Sequence, residues 1–199
     1  MCHSVEGADL ICFTGGADVS PELYDAPKHQ YTRTDPSRDT YEVKVFHDAF
    51  QRGLPMVGIC RGGQFLNVMN GGEMYQEVTG HGISHTINIT RGEWENLTVW
   101  ATSTHHQMMR PAVNGKILAI GPESKTVHWD KQEEEWANTD MKNGVEVVMY
   151  GKHLCFQPHP EFMMDDARFT AFVSISLLSL NRCLTNNFFF GYLALRCVK

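Results

Sequence analysis

The sequence predicts an α/β fold in which helices cover a mostly parallel central sheet, and three observations lead to this prediction. Strand and helix patterns alternate through the first half of the chain. The strand patterns there are short apolar runs, at residues 10–14 and 56–59, which are typical of strands buried inside a sheet. From residue 86 onward, strand patterns follow one another with turn residues between them, which predicts an antiparallel annex.

The first half supplies two strands and two helices. The strand at 10–14 ends in a Gly-Gly pair. Asp35 and Pro36 suit the start of a helix, and apolar residues recur after them at helical spacing until Gly53 ends it. The strand at 56–59 comes next, and residues 64–69 indicate a second helix.

The second half is richer in strands and closes with a helix. Residues 165–180 predict that closing helix, whose apolar stretch is shorter than the roughly 18 residues needed to cross a bilayer. The predicted strands of this half cover residues 86–90, 97–101, 116–120, 125–129, 145–150 and 152–157.

Cys60 lies between the second strand and the second helix, flanked by Gly58 and Gly62. Glycines on both sides permit the tight turn that would lift a side chain out of the sheet, because they remove Cβ clashes. The following helix places its positive end near the sulfur, which favours a thiolate. The spacing therefore predicts a nucleophile, against the alternative of one more buried cysteine.

A base for this nucleophile is predicted at His159. Pro158 and Pro160 restrict the backbone on both sides of the histidine and favour an extended conformation. Side chains two residues apart then point the same way, so the carboxylate of Glu161 can orient the imidazole. The alternative is a surface turn that happens to contain a histidine.

An oxyanion hole is predicted from two backbone amides. Gly15 and Gly16 follow the first strand, and a backbone without side chains can approach a substrate oxygen closely. Together with the amide of Arg61, such a turn would stabilise an oxyanion. A Gly-Gly turn alone is weak evidence, since most such pairs are only turns.

These segments, in this order, strongly resemble the class I glutamine amidotransferase superfamily, and within it the peptidase C26 group that contains the gamma-glutamyl hydrolases. The resemblance covers about residues 7–175 and implies a three-layer flavodoxin-like sandwich forming a single domain over 1–199, with a tail at about 183–199 outside it. Its motifs are residues 14–21, Arg38, Asp39 and Glu42, residues 58–64, Asn67 with Gly71 and Gly72, residues 103–107, and residues 157–161.

The resemblance implies a role for each matching residue. Cys60 resembles the nucleophile, His159 the general base and acid, and Glu161 the residue that orients it. The implied oxyanion hole and substrate pocket are formed by Gly16, Arg61, Gln64, Ser103, His105 and His106.

The implied reaction is hydrolysis of a gamma-glutamyl amide through a thioester on the cysteine, with no metal or organic cofactor. The 14–21 and 103–107 segments favour a hydrolase that acts alone on a small gamma-glutamyl substrate. Two alternatives remain open: a glutaminase subunit that delivers ammonia to a separate synthetase, and a catalytically silent homologue that binds a partner.

The chain departs from the family pattern at both ends. It begins near what the family gives as its second element, so the sequence predicts an N-terminally shortened fold. The aromatic segment at 186–193 is compatible with an added strand, an interface or a partly disordered extension.

Charge and composition narrow the partners and the compartment. A net charge of -6 and the lack of a basic stripe argue against nucleic acid. Six cysteines at irregular spacings, with no signal-peptide pattern and no membrane segment, favour a reducing compartment and a cytoplasmic location.

The histidines suggest one further alternative, a zinc site. Residues 81 and 85 have a spacing that ligates metals on a helix, but Gly82 and the strand beginning at residue 86 argue against a helix there. The sequence therefore favours loop histidines near the cleft and no metal. The histidines considered are His81, His85, His105 and His106.

Overall fold

The computed structural model describes residues 5–92, 95–123, 127–128, 133–134, 143–163, 167–179 and 196–198 of the 199-residue chain. The helices in these residues are α1 (Pro36–Gln51), α2 (Arg61–Met69) and α3 (Ala167–Ser179), with short 3-10 turns at Pro21–Tyr24 and Pro160–Phe162. Helix α1 begins as predicted: the carboxylate of Asp35 accepts a hydrogen bond from the Arg38 amide, and Pro36 occupies the first turn.

The strands are short, as the apolar runs predict. In chain order they are β1 (Ile11–Phe13), β2 (Met56–Ile59), β3 (Glu73–Tyr75), β4 (Glu77–Val78), β5 (His85–Ile89), β6 (Thr98–Ala101), β7 (Met108–Arg110), β8 (Lys116–Glu123), β9 (Val127–His128), β10 (Glu133–Glu134), β11 (Asn143–Tyr150), β12 (His153–Phe156) and β13 (Arg196–Val198).

Within the described residues, eight strands form one mixed sheet in the order β13-β1-β2-β12-β11-β8-β5-β6. The first four are parallel to their neighbours, and from β12 onward each neighbour is antiparallel. The predicted α/β fold is confirmed. The predicted antiparallel annex is part of the same sheet, because its strands continue directly from the parallel ones. Residues 73–134 also contribute strands to two small sheets, β3-β7 and β10-β9-β4.

The parallel half of the sheet brings the three predicted motifs to one edge. Phe13 of β1 pairs with Gly58 of β2, and Phe156 of β12 pairs with Ile59 of β2. Because the strands are parallel, the residues that follow their carboxyl ends meet. Those residues are the Gly-Gly turn, Cys60 and the segment that leads to His159.

Two apolar clusters cover the two faces of the sheet. Phe13 of β1 packs with Phe46 of α1 and Phe65 of α2 in the first cluster. Val57 of β2 packs with Phe172 of α3 in the second. Successive strand residues thus face different helices, which explains why the central strands are apolar on both sides.

The sequence predictions differ from the structure at several boundaries. Helix α2 begins at Arg61, three residues before its predicted start. Strands β3 and β7 were not predicted, and of the predicted strand 125–129 only 127–128 are described, as part of β9. The segment 186–193 lies outside the described residues, and β13 follows it at the edge of the sheet beside β1.

No helix in the described part of the chain is both long enough and apolar enough to cross a bilayer.

Candidate active site

Cys60 occupies a strained turn between β2 and α2. Its backbone has φ 53° and ψ −116°, in the region of positive φ that residues other than glycine rarely adopt. Such a conformation costs about 1–3 kcal/mol and persists only where the surrounding structure enforces it. The side chain is half-buried and lines a pocket, so this turn presents the thiol to solvent-accessible space.

The glycines around Cys60 are required by close packing. A Cβ on Gly58 would lie 2.1 Å from the carbonyl oxygen of Gly62, and a Cβ on Gly62 would lie 2.1 Å from the carbonyl oxygen of Phe13. Both contacts are far below any van der Waals distance. The glycines therefore let α2 approach β1 and β2, which brings the first turn of the helix against the sulfur.

His159 reaches Cys60 from the end of β12. Its backbone is extended, at φ −101° and ψ 88°, and its N–H donates to the Thr102 hydroxyl at 3.1 Å. The imidazole interacts with the Cys60 side chain closely enough for the thiol to shift its pKa, and its Nδ1 lies 2.8 Å from Glu161 Oε1. The sequence suggested an extended backbone through Glu161, but the structure has a 3-10 turn at Pro160–Phe162 instead. This turn brings the Glu161 carboxylate back to the imidazole ring.

These contacts shift the protonation of the imidazole. The hydrogen bond with Cys60 is the largest cause, burial opposes it, and Glu161 adds to it, so the pKa of His159 rises to about 9. An imidazole ring between a cysteine sulfur and a carboxylate is the arrangement expected of a nucleophile, base and orienting group.

The Gly-Gly turn after β1 is held by Arg38 of α1. Its guanidinium donates to the carbonyl oxygens of Thr14 at 2.7 Å and Gly15 at 2.8 Å. A Cβ on Gly16 would lie 2.2 Å from the same guanidinium, and the φ of 149° is one that residues with a side chain rarely adopt, so glycine suits this position. A carbonyl and the following N–H point in opposite directions across a trans peptide, so the Gly16 amide faces away from Arg38.

A buried ion cluster supports the same turn from α2. The Arg61 guanidinium contacts the carboxylates of Asp39 and Glu42 and donates to the Ala17 carbonyl at 3.1 Å. Burial is the main cause that lowers the pKa of Arg61, to about 10, so the side chain remains charged at neutral pH. The sequence assigned a role only to the backbone amide of Arg61, and nothing in a single sequence pairs its side chain with α1.

The pocket beside Cys60 has a volume of about 270 Å³, just below the range of roughly 300–1,000 Å³ that holds drug-sized ligands. Its size suits a molecule no larger than an amino acid derivative. The lining residues are Gly16, Ala17, Asp18, Tyr31, Arg33, Cys60, Arg61, Gln64, Thr104, His105, His106 and Gln107.

Three of the four predicted substrate-binding residues line the pocket, and Ser103 does not. Gln64 and His105 line the pocket, and the Gln64 amide donates to the Gln107 carbonyl at 3.3 Å and to Gln157 at 3.1 Å. Burial lowers the pKa of His105 to about 4. Ser103 is absent from the pocket lining, because its hydroxyl is buried and donates to the His81 carbonyl.

His106 lies at the acidic side of the pocket. Its Nε2 is 3.3 Å from Asp18 and its Nδ1 is 2.7 Å from Glu77. The hydrogen bond with Asp18 is the main cause that raises the pKa of His106, to about 9. The pocket thus carries a carboxylate with its histidine partner, and Arg33 is also among its lining residues.

Comparisons with known proteins identify the family of the chain. The model of the peptidase C26 family matches residues 1–127, more than half of the chain. The glutamine amidotransferase-like protein YvdE of Lactococcus lactis is 46% identical over 72 residues, which are 36% of this chain and 30% of that protein. A candidate glutamine amidotransferase of Schizosaccharomyces pombe is 28% identical over 180 residues, 79% of this chain and 63% of that protein.

A solved structure shares the fold at low identity. The crystal structure of a candidate GMP synthase subunit from Thermoplasma acidophilum has a TM-score of 0.52 with 14% identity, and the match covers 86% of this chain and 78% of that one. The chain spans about a third of the length of YvdE. The family model establishes the relationship: this chain belongs to the peptidase C26 family, within the glutamine amidotransferase-like proteins.

Proposed function

We propose that the protein is a cysteine-nucleophile hydrolase of a small gamma-glutamyl amide. The observation that carries the proposal is the series Cys60, His159 and Glu161 beside a small pocket, in which Glu161 hydrogen-bonds His159 and Cys60 shifts its pKa. In the proposed series Cys60 is the nucleophile, His159 the acid and base, and Glu161 the orienting group. The strained backbone of Cys60 supports the assignment, since such strain concentrates at functional sites.

The reaction begins from the form in which the thiol proton resides on His159, and the Cys60 sulfur attacks the gamma-carbonyl carbon. The carbonyl π electrons move to oxygen, giving an oxyanion. When the intermediate collapses, the C–N bond breaks and the leaving nitrogen takes the proton from His159, which leaves a thioester. His159 then deprotonates a water that attacks the thioester, and the second intermediate collapses by expelling the Cys60 thiolate, which releases glutamate; the amine has left in the preceding step.

The backbone amides of Gly16 and Arg61 are the proposed oxyanion donors. Arg38 binds the Gly15 carbonyl, so the N–H of Gly16 faces the opposite direction, away from α1. The Arg61 amide is the first of α2, and the first amides of a helix have no partner within the helix. Donors fixed in advance stabilise developing charge without reorganising during the reaction.

The pocket supports a zwitterionic glutamyl group as the part of the substrate that is held. Arg33 supplies a cation for the alpha-carboxylate, and Asp18 supplies an anion for the alpha-amino group. We propose that Gln64, His105 and His106 complete the wall, while Ser103 supports it from behind through the His81 carbonyl.

Labelling with an electrophilic glutamine analogue, a diazo-ketone, tests the nucleophile and the pocket together. Mass spectrometry of digested protein should find the adduct on Cys60, with glutamine protecting against it. Cys155 is an internal control, because it is fully buried and burial raises the pKa of its thiol. Equal labelling of Cys60 and Cys155, or no protection by glutamine, would contradict the proposal.

Ammonia release by the purified chain distinguishes the hydrolase from the synthetase subunit. If the protein is a hydrolase that acts alone, it should turn over glutamine or another gamma-glutamyl amide without a partner. Cys60→Ser should abolish this turnover. If the protein is a synthetase subunit, activity should appear only when a synthetase is added. The Thermoplasma protein of similar fold, a candidate GMP synthase subunit, is the precedent for this alternative. Labelling of Cys60 without turnover under either condition would leave the silent binding homologue.

The remaining expectations follow from the same proposal. We propose that residues 1–199 form one domain, and that the protein works in the cytoplasm with a small-molecule substrate rather than a nucleic acid. The free thiols of Cys60 and Cys155 support a reducing compartment.

A further inference from the structure

Three histidines surround one buried carboxylate behind the wall of the pocket. Glu146 Oε1 lies 3.3 Å from His81 Nδ1, 2.9 Å from His85 Nε2 and 3.9 Å from His105 Nε2. The His81 ring centroid is 5.2 Å from that of His85 and 5.0 Å from that of His105. The sequence suggested these histidines as zinc ligands only on a helix; the fold brings them together from loops and strands around an acid that the sequence did not single out.

The backbone fixes which ring nitrogens face the carboxylate. His105 Nδ1 lies 2.7 Å from the Gln107 carbonyl, and His85 Nδ1 lies 3.0 Å from the Ile83 carbonyl. A carbonyl oxygen can only accept, so both Nδ1 atoms carry a proton. At His85, burial is outweighed by the hydrogen bond with Glu146 and by the charge of Glu146, which raise the pKa of the imidazole, so a proton on Nε2 accounts for the 2.9 Å contact. At His105, burial keeps the ring neutral, so its Nε2 is an acceptor directed at Glu146, which is itself an acceptor. Two acceptors that face each other repel unless a cation lies between them.

Two polar atoms of the cluster also lack a hydrogen-bond partner in the described part of the chain. These are His105 Nε2 and Glu146 Oε2, and both are shielded from solvent. Buried polar atoms without partners cost free energy and are uncommon in native proteins. Their presence on the same cluster indicates that something else contacts them.

The surrounding backbone leaves space for the cluster. A Cβ on Gly121 would lie 2.6 Å from Glu146 Oε1 and 3.0 Å from His85 Nε2, and a Cβ on Gly144 would lie 2.1 Å from His81 Cε1. Two glycines in β8 and β11 therefore permit the histidines and the carboxylate to converge.

We propose that His81, His105 and Glu146 bind a divalent transition-metal ion of the zinc class, with His85 as a hydrogen-bond partner of the carboxylate. One ligand atom from each of the first three lies within 4.8 Å of the others. Zinc with bonds of 2.0–2.2 Å separates tetrahedral ligand atoms by about 3.3 Å, so ligand atoms that lie up to 4.8 Å apart must approach one another when the ion binds. Imidazole and carboxylate are ligands that zinc accepts, and the backbone carbonyls on Nδ1 are typical outer partners.

The burial of the cluster assigns the ion a structural role. The side chains of His81 and Glu146 are 0% exposed and that of His105 is 3% exposed, so no open position faces the substrate. Shielding from solvent is typical of structural zinc, whereas catalytic zinc keeps a position open to substrate. The ion would join the loop of His81, the pocket wall at His105 and strand β11, whose Glu146 carbonyl accepts from the Gln157 amide.

Metal content of the full chain, with any affinity tag removed, tests the site independently of the proposed hydrolysis. The measurements use Cys60→Ser as the parent, because the thiol and His159 could otherwise bind zinc. After treatment with a chelator, zinc addition and gel filtration, we expect about one zinc per chain. His105→Ala and Glu146→Gln should reduce this ratio to the background, whereas His47→Asn, which removes an exposed histidine of α1, should not change it.

Two further readouts use only the parent and do not depend on how the variants fold. Cobalt should give the intense visible absorption of a tetrahedral ion. Zinc at a hundred times its Kd should raise the Tm by about 5–10 °C. A parent that retains no zinc and shows no change in Tm, or a His105→Ala variant that binds as much zinc as His47→Asn, would show that the cluster holds protons rather than a metal.

Discussion

The imidazole of His159 is predicted to titrate near pH 9. Its pKa is raised from 6.5 mainly by the hydrogen bond with Cys60, with Glu161 adding to the effect against burial. A raised pKa stabilises the fold fully below pH 6.5, and this contribution disappears as the pH rises through about 9. Glu161→Gln should lower the midpoint of the His159 signal in an NMR titration, with the signal assigned by His159→Asn.

The control for this titration is Glu22→Gln, which removes an exposed carboxylate far along the chain. It should leave the midpoint unchanged. A Glu161→Gln midpoint equal to that of the native protein would show that the carboxylate only lies near the ring and does not act on it.

Removal of the Arg61 charge, the one charge in α2, is expected to destabilise the protein strongly. Its guanidinium is 2% exposed and neutralises two buried carboxylates, Asp39 and Glu42. Removing one partner of a buried ion pair leaves uncompensated charge and costs about 3–5 kcal/mol. Arg61→Met should therefore lower the free energy of unfolding in urea by about that amount.

Arg52→Met is the matched control, because Arg52 pairs with Asp48 on the surface of α1 at 2.7 Å. Exposed pairs contribute little, so this variant should unfold at nearly the native urea concentration. Comparable losses in the two variants would mean that the Arg61 cluster is not the support of the Gly-Gly turn that its geometry indicates.

The contrast between these residues shows what the sequence could predict at the site. Cys60 and His159 were found because their neighbours are glycines and prolines, whose backbone effects are local. Glu146 and the side chain of Arg61 have no such local signal, since their partners are distant in sequence. Their partnerships depend on strand register and helix packing, which a single sequence does not specify.

The helix that follows the nucleophile is a clear case at the level of an element. Gly62 and Gly63 are poor helix formers, which is why the predicted helix began at Gln64. The structure starts α2 at Arg61, because these glycines allow the helix to pack directly on the ends of β1 and β12. Tertiary packing thus overrides local propensity at the position where the site needs the helix.

Gly62→Ala should disrupt this element and the site together. The new Cβ would lie 2.1 Å from the Phe13 carbonyl oxygen and 2.9 Å from the Phe13 Cβ, so β1 and α2 must separate. Overpacking of this kind costs about 1–3 kcal/mol, and a displacement of about 1 Å at a catalytic centre reduces turnover about a hundredfold. Urea unfolding and the rate of the proposed hydrolysis measure the two effects.

Gly82→Ala controls for the change of residue type, because nothing lies within 4 Å of a Cβ at this position. Its effect on the free energy of unfolding should stay within about 0.5 kcal/mol. If Gly62→Ala were equally mild, the contact between α2 and β1 would not be as close as the structure places it.

The mixed sheet joins two halves that differ in their contribution to the site. The parallel half carries the thiol and the imidazole, and the antiparallel half carries Glu146 and the wall behind the pocket. Both apolar clusters contain residues of both halves: Phe13 and Val148 belong to one, and Val57 and Ala119 to the other. No cut between the halves leaves either cluster intact, which supports the proposal of one domain.

This continuity predicts how the molecule unfolds. Amides of β2 and β12 in the parallel half, and of β8 and β11 in the antiparallel half, should exchange with deuterium only through global unfolding. Strand β6 lies at the edge of the sheet and exposes Thr98 and Trp100, so its amides should exchange faster. Hydrogen exchange followed by mass spectrometry at increasing denaturant separates the two classes. If β8 and β11 lost protection at lower denaturant than β2 and β12, the halves would be separate folding units, because a shared core requires that they open together.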